Sequence, residues 1–296
     1  MDLIVTATAQ GLLWGMMALG IFITYRILDL PDMTAEGSFP LGAAVCAQLI
    51  ISGMHPLAAT AVAFLIGSLA GAVTGFLITK AHIPGLLAGI LTMTGLYSIN
   101  LRIMKRANLS LLGKAKLTDF FNRLNLPNQF DTIFMGLILV VLIITLLVLF
   151  FKTEIGQAVI ATGDNEKMAR SLGISTNQTK MIGLMLSNGL VAAAGALIAQ
   201  DNGYADISMG IGTIVIGLAS VIIGEVVFGN LSFVHRLICV ILGAIIYRFI
   251  IMFVLLIGLQ PNDLKLISAF ILAICLALPS IRTRFNLNFF QKKELM

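Results

Sequence analysis

The sequence predicts an all-α integral membrane protein. It reads as one domain over 1–296, a polytopic helical bundle of about 8–10 transmembrane helices with a helix broken near the N-terminus. Three observations carry that prediction. Hydrophobic residues make up 58% of the chain and charged ones 11%, with a mean hydropathy of +1.01. A water-soluble domain carries about a quarter charged residues, so this chain cannot clothe a soluble surface. Residues 132–151 run without a charge, and at roughly 20 residues per crossing the length leaves room for little besides spans. The third observation is that two polar stretches, 28–43 and 152–179, interrupt the apolar runs.

In chain order, apolar runs of spanning length fall at about 9–28, 38–54, 57–79, 83–101, 131–151, 180–200, 211–229, 237–258 and 264–280. This count puts the two ends on opposite sides. The tail carries Arg282, Arg284, Lys292 and Lys293 against Glu294, which marks it as cytoplasmic. Counting back, 152–179 (Lys152, Lys167, Arg170) and the turn at Arg236 are cytoplasmic, and the N-terminus is outside. The N-terminus lacks a basic region and cleavage site and reads as an uncleaved span. One loop runs against the count. Residues 102–130 hold Arg102, Lys105, Arg106, Lys114, Lys116 and Arg123 on the outer face. Either this loop caps the membrane against headgroups or a partner, or one crossing is miscounted.

The stretch 28–43 holds Asp29, Asp32 and Glu36 with Pro31, Pro40, Gly37 and Gly42. Proline and glycine at membrane depth free backbone groups that protein or a wet cavity must satisfy, and such broken helices line substrate paths. An ordinary cytoplasmic turn is the alternative. Gly67, Gly71 and Gly75 form a small-residue stripe that allows close helix approach, within one subunit rather than between two.

Catalytic apparatus is not visible. The only Walker A candidate, Leu112-Gly113-Lys114-Ala115, lacks the upstream glycine and the Ser/Thr. His55, His82 and His235 are scattered, and Cys46, Cys239 and Cys275 sit in apolar segments with no metal-ligand spacing. No enzyme activity, metal or cofactor is therefore expected. The net charge of +5 reads as anchoring to membrane lipid, with no nucleic-acid partner.

Residues 165–172 can form a short helix, with Asp164 capping its start, Glu166 in the first turn and Gly173 as the stop. Met168, Ala169 and Leu172 share one face, with Lys167 and Arg170 elsewhere. That apolar face suits a partner's groove; the plain alternative is a helix lying on the membrane.

Ala161-Thr162-Gly163-Asp164-Asn165-Glu166-Lys167-Met168-Ala169-Arg170-Ser171-Leu172-Gly173-Ile174 resembles the coupling segment of ABC importer permeases of the branched-chain amino acid/ribose/nucleoside class. The downstream Gly189, Ala194-Gly195, Gly210-Ile211-Gly212 and Ile222-Ile223-Gly224-Glu225 agree, and Asp32 to Ala43 is similar to the broken-helix element of that class. The likeness covers roughly residues 10–280 and is nearest to the amino-acid-type branch of tryptophan/tyrosine kind. Two departures from ribose-type members are a missing N-terminal span and the Gly224-Glu225 pair. The resemblance implies a multi-pass cell-membrane permease that takes in an amino acid or similar small polar solute. It also implies a homodimer or a pair of related chains, two ABC ATPase subunits below and a substrate-binding lipoprotein above.

By the resemblance, Gly163, Asp164, Asn165, Glu166, Met168, Ala169, Arg170, Leu172 and Gly173 make a cytoplasmic coupling helix against the ATPase. Candidate path residues are Asp32, Thr34, Glu36 and Ser38 on the broken element, Thr92, Thr94 and Asn100 on the fourth span, and Asn188 and Glu225, because intramembrane polar groups are expensive and face the interior. Each has a structural hydrogen bond as its alternative. Arg248 needs a partner, and Glu225 one helix away is the expected one. A stand-alone secondary transporter or channel fits the hydrophobicity equally well; it predicts a second broken helix, and none is legible after residue 180.

Overall fold

The computed structural model describes residues 2–117, 130–229 and 232–257, with isolated positions at 266, 267, 269, 270 and 273. The expected span at 264–280 and the basic tail therefore lie outside the described residues, apart from those few positions. The helices are α1 (Asp2–Phe22, continued by a π turn, Ile23–Ile27), α2 (Ala35–Ile51), α3 (Pro56–Thr79), α4 (Gly85–Met104), α5 (Phe130–Lys152), α6 (Glu154–Asp164), α7 (Glu166–Ser171), α8 (Thr176–Asn202), α9 (Thr213–Phe228) and α10 (Phe233–Leu256). Strands β1 (Asn108–Ser110) and β2 (Tyr204–Asp206) pair antiparallel. Among the described residues seven helices are long and apolar enough to cross a membrane, counting α9 together with the 3-10 turn Ile207–Gly210 before it, and α2 is a shorter apolar helix.

Burial sorts the helices. α1 and α8 are the innermost spans, while α3, α4 and α5 expose most of their length. Leu13, Met17 and Phe22 of α1 are fully buried in the main core beside Val191 and Ile198 of α8 and Val240 of α10. Gly67, Gly71 and Gly75 of α3 seat Ala192, Leu184 and Met181 of α8, so the stripe packs within the chain as expected.

Two breaks organise the bundle. α1 ends in its π turn, and 28–34 return without helix to mid-depth, where α2 begins. The depth is set by α8: Ser38 bonds to Asn188, near the middle of that helix. The second break is 203–212, between α8 and α9. Gly203 ends α8 in a left-handed conformation (φ 77°), and Gly212 starts α9 in another (φ 85°). From that meeting point α2 runs to one end of the bundle and α9 to the other. α3 packs on α8 as α10 packs on α1, so the two halves repeat in inverted orientation. This corrects the sequence reading, which found no second break. The run 211–229 is apolar apart from Glu225, Thr213 and Ser220, and it conceals the break.

Residues 152–175 gather at the end where α1 stops and α10 starts, the elbow end. The β1–β2 sheet and the basic segment 102–117 lie at the opposite, sheet end.

Candidate functional site

Three polar places stand out. The first is the junction of the two breaks. Asp32 accepts the Thr34 N–H at 2.9 Å on one oxygen and the Asn188 side-chain amide at 2.7 Å on the other. Ser38 donates to the Asn188 carbonyl oxygen at 2.7 Å. One buried asparagine on α8 thus ties both flanks of the break. Beside it the hydroxyls of Thr34, Thr74 and Thr92 form a chain at 2.7 and 3.0 Å. Pro40 has no amide to bond the Glu36 carbonyl four residues earlier, and Gly210 lies against that carbonyl. The Glu36 carboxylate accepts the Gly212 N–H at 3.1 Å. Two helix N-termini, each a partial positive charge, converge there, and the carboxylate offsets both.

The second place is the outer face of α4. Thr94, Tyr97, Ser98 and Arg102 are exposed along it. Thr92 and Asn100, expected beside Thr94 on the path, are instead buried inward. Thr92 closes the threonine chain, and Asn100 donates to the Gly37 carbonyl at 3.3 Å. Ser98 and Tyr97 were not anticipated; Ser98 lies four residues from both Thr94 and Arg102, which was the available signal.

The third is the elbow formed by α6 and α7. Thr153 caps α6, accepting the Gly156 N–H at 3.2 Å. Asn165, rather than Asp164, caps α7 through the Met168 N–H at 3.0 Å, because α6 continues through Asp164. Gly173 stops the helix at φ 85°. Met168 and Leu172 are 59% and 69% exposed, whereas Ala169 is 1% exposed and packs inward, leaving the expected apolar face. Glu166 holds the elbow to α8, bonding Lys180 at 2.7 Å and Arg170 at 3.1 Å. The Lys180 hydrogen bond is the main reason its carboxyl titrates below the usual range, against a smaller opposing effect of burial. Ile78, Thr79, His82, Glu166, Arg170 and Lys180 help line an open cavity of about 400 Å³ beside the clasp. Gly163 lies directly on the Ile27 carbonyl at the end of the π turn.

The expected Arg248–Glu225 pair does not form. Glu225 bonds Arg26 at 2.8 Å and Arg236 at 2.9 Å, near the elbow end. Arg248 stacks over Trp14 with 4.3 Å to the ring centroid, much further along α10. Glu225 therefore fixes the ends of α1, α9 and α10 together and lies away from the junction at Asp32.

A family model described as "Branched-chain amino acid transport system / permease component" matches residues 3–277. A tyrosine transport system permease protein of Clostridioides difficile (strain R20291) is 44% identical over 274 residues, covering 93% of this chain and 90% of that protein. An uncharacterised protein of Rickettsia prowazekii (strain Madrid E) is 36% identical over 94% of this chain and 98% of its own length. An autoinducer 2 import system permease protein of Photorhabdus laumondii is 26% identical over 75% of this chain and 65% of that protein. Among solved structures, PsaBC from Streptococcus pneumoniae in complex with Fab aligns with a TM-score of 0.50 and 17% identity, over 92% of this chain and 89% of that one. That likeness concerns the fold alone. The family that residues 161–174 and the first break resemble is thus the family found: the chain belongs to the branched-chain amino acid transport permeases and is a multi-pass ABC-transporter permease.

Proposed function

We propose that this chain is the membrane-spanning subunit of an ATP-driven importer. Two copies enclose a path between their α4 faces, separate ATPase subunits drive them through the elbow, and a substrate-binding lipoprotein delivers cargo at the sheet end. The elbow end is cytoplasmic. The apolar outer faces of α3, α5 and α10 meet lipid. The cargo is an amino acid or a similar small polar solute, and the name of the Clostridioides difficile relative favours an aromatic one.

The observation that carries this reading is the elbow. A helix capped at both ends and clasped by Glu166 to Lys180 presents Met168 and Leu172 away from the bundle. α8 then leads from that clasp to Asn188 at the junction, so force applied at the elbow has a stiff route inward. The chain shows no Walker A pattern, which supports a reading with the motor on another subunit. Asp32, Thr34 and Ser38 hold the broken element in shape, and within this reading Thr94 is the sequence-predicted residue that faces the path.

The test is Met168→Asp combined with Leu172→Asp. The ATPase should no longer co-purify with the permease in detergent, and ATP-dependent uptake of labelled L-tyrosine into proteoliposomes should stop. Normal co-purification with full uptake would remove the elbow from the mechanism. The inverted repeat supports a second reading, a carrier acting alone. Uptake driven by an ion gradient, with no ATPase present, would establish that one instead.

A further inference from the structure

We infer that the path along α4 selects solutes bearing a carboxylate or another anionic group, and that Arg102 is the residue that selects them. This rests on the proposed path between two α4 faces and names the chemistry it admits.

Exposed hydroxyls come first. Each helix that crosses hydrocarbon must satisfy its polar groups internally. On α5 the exposed hydroxyl of Thr145 does so, donating to its own Val141 carbonyl at 2.7 Å, so that face can meet lipid. Thr94 on α4 does the same with Ile90 at 2.8 Å. Ser98 and the phenol of Tyr97 do not: both are exposed and neither has a partner among the described residues. A bare hydroxyl transferred to an apolar medium costs about 2 kcal/mol or more, so this face of α4 is matched to water.

Charge comes second. Thr94, Ser98 and Arg102 follow at four-residue intervals, a line rising about 12 Å toward the sheet end. Arg102 is exposed, and no carboxylate lies within ion-pair distance of it among the described residues. Lys105 and Arg106 continue the positive charge beyond it. Of the acids at that end, Asp206 is engaged with Asn108 and Ser208 and Asp201 with Gln10 and Thr132, while Asp131 lies beside Asp201 at the start of α5. A second copy doubles every one of these cations. The result is a positive mouth above a wall on which the Tyr97 and Ser98 hydroxyls stand among exposed Ile90, Leu91 and Leu101, and a positive mouth concentrates anions and repels cations. Arg102 is the cation nearest the wall, and its planar guanidinium matches a carboxylate in two-point geometry. The same feature explains why so basic a segment lies at the end opposite the elbow.

The experiment needs neither the natural cargo nor the ATPase. Ser98→Cys is introduced with Cys275→Ala; Cys46 and Cys239 are buried. The full chain in membrane vesicles is treated with small methanethiosulfonates of opposite charge, sulfonatoethyl and trimethylammonioethyl. Each rate is divided by that for a free thiol. The introduced thiol should react, with the anionic reagent favoured by about tenfold. Arg102→Gln should bring the ratio close to one, and Arg102→Lys should keep most of it. Reaction at equal normalised rates, with or without Arg102, would overturn the selection while leaving the aqueous face intact. No reaction with either reagent would sink both the selection and the proposed path.

Discussion

Gly163→Ala asks whether the elbow rests on the end of α1 as described. An alanine Cβ there would stand 1.7 Å from the Ile27 carbonyl oxygen and 2.7 Å from its carbon, where real Cβ atoms keep at least 3.0 Å. Both obstacles are backbone, so α6 or the π turn must shift by about 1.3 Å, an overpacking penalty of about 2–3 kcal/mol. The higher helix propensity of alanine returns less than about 1 kcal/mol so near a helix end. The net loss of about 2 kcal/mol corresponds to a fall in Tm of about 4–8 °C. Gly95→Ala is the matched control, since nothing lies within 4 Å of a Cβ at that position. It should leave Tm unchanged or raise it. The assay is thermal unfolding in detergent followed by fluorescence of Trp14, the one tryptophan in the chain. A Gly163→Ala protein as stable as the parent would refute the contact. Equal losses at both positions would show that the effect has nothing to do with it.

Three further outcomes are expected. Asn188→Ala strips Asp32 and Ser38 of their shared partner and should lower stability by about 3 kcal/mol, with Asn188→Asp worse because it sets a second carboxylate against Asp32; Tm and yield measure both. The Glu166 carboxyl titrates below its reference value of 4.5 in the folded chain, chiefly through Lys180. The clasp therefore stabilises fully above about pH 4.5 and is lost as pH falls through the lower folded value. Hydrogen exchange over 166–176, corrected for its intrinsic pH dependence, should stay level down to that point and then rise, and Glu166→Gln should show the faster rate at every pH. Glu36→Gln weakens the acceptor at the start of α9 and should cost about 1 kcal/mol, seen as faster exchange at 212–215 with the rest of α9 unaffected.

Hydropathy made most of the bundle readable, because a span of about 20 apolar residues has few competing explanations. The break at 28–34 was readable too, since Pro31, Pro40 and three acids cannot pass as lipid-facing helix. Its counterpart at 203–212 was hidden by the apolar residues that follow Gly212. Some errors were avoidable by counting. α9 and α10 form an antiparallel pair, so residue 225 faces 236 across the turn and 248 faces the far end of α9. Thr92, Leu96 and Asn100 lie on one stripe of α4, Thr94 and Ser98 on another, and helical spacing alone separates the inward set from the outward one. The choice between Asp164 and Asn165 as cap was not open to counting, because both residue types cap well and only the end of α6 decides between them.

The head-to-head start of α2 and α9 has a mechanical corollary. A continuous rod through the mid-plane could tilt only as one body or by breaking its own hydrogen bonds. Here that column is two short shafts with a seam between them, bridged by the Glu36 carboxylate and the Gly212 amide. Either shaft can tilt without breaking a helix of its own; moving α2 works against the Glu36 joint and against the bonds from Ser38 to Asn188 and from Asn100 to Gly37.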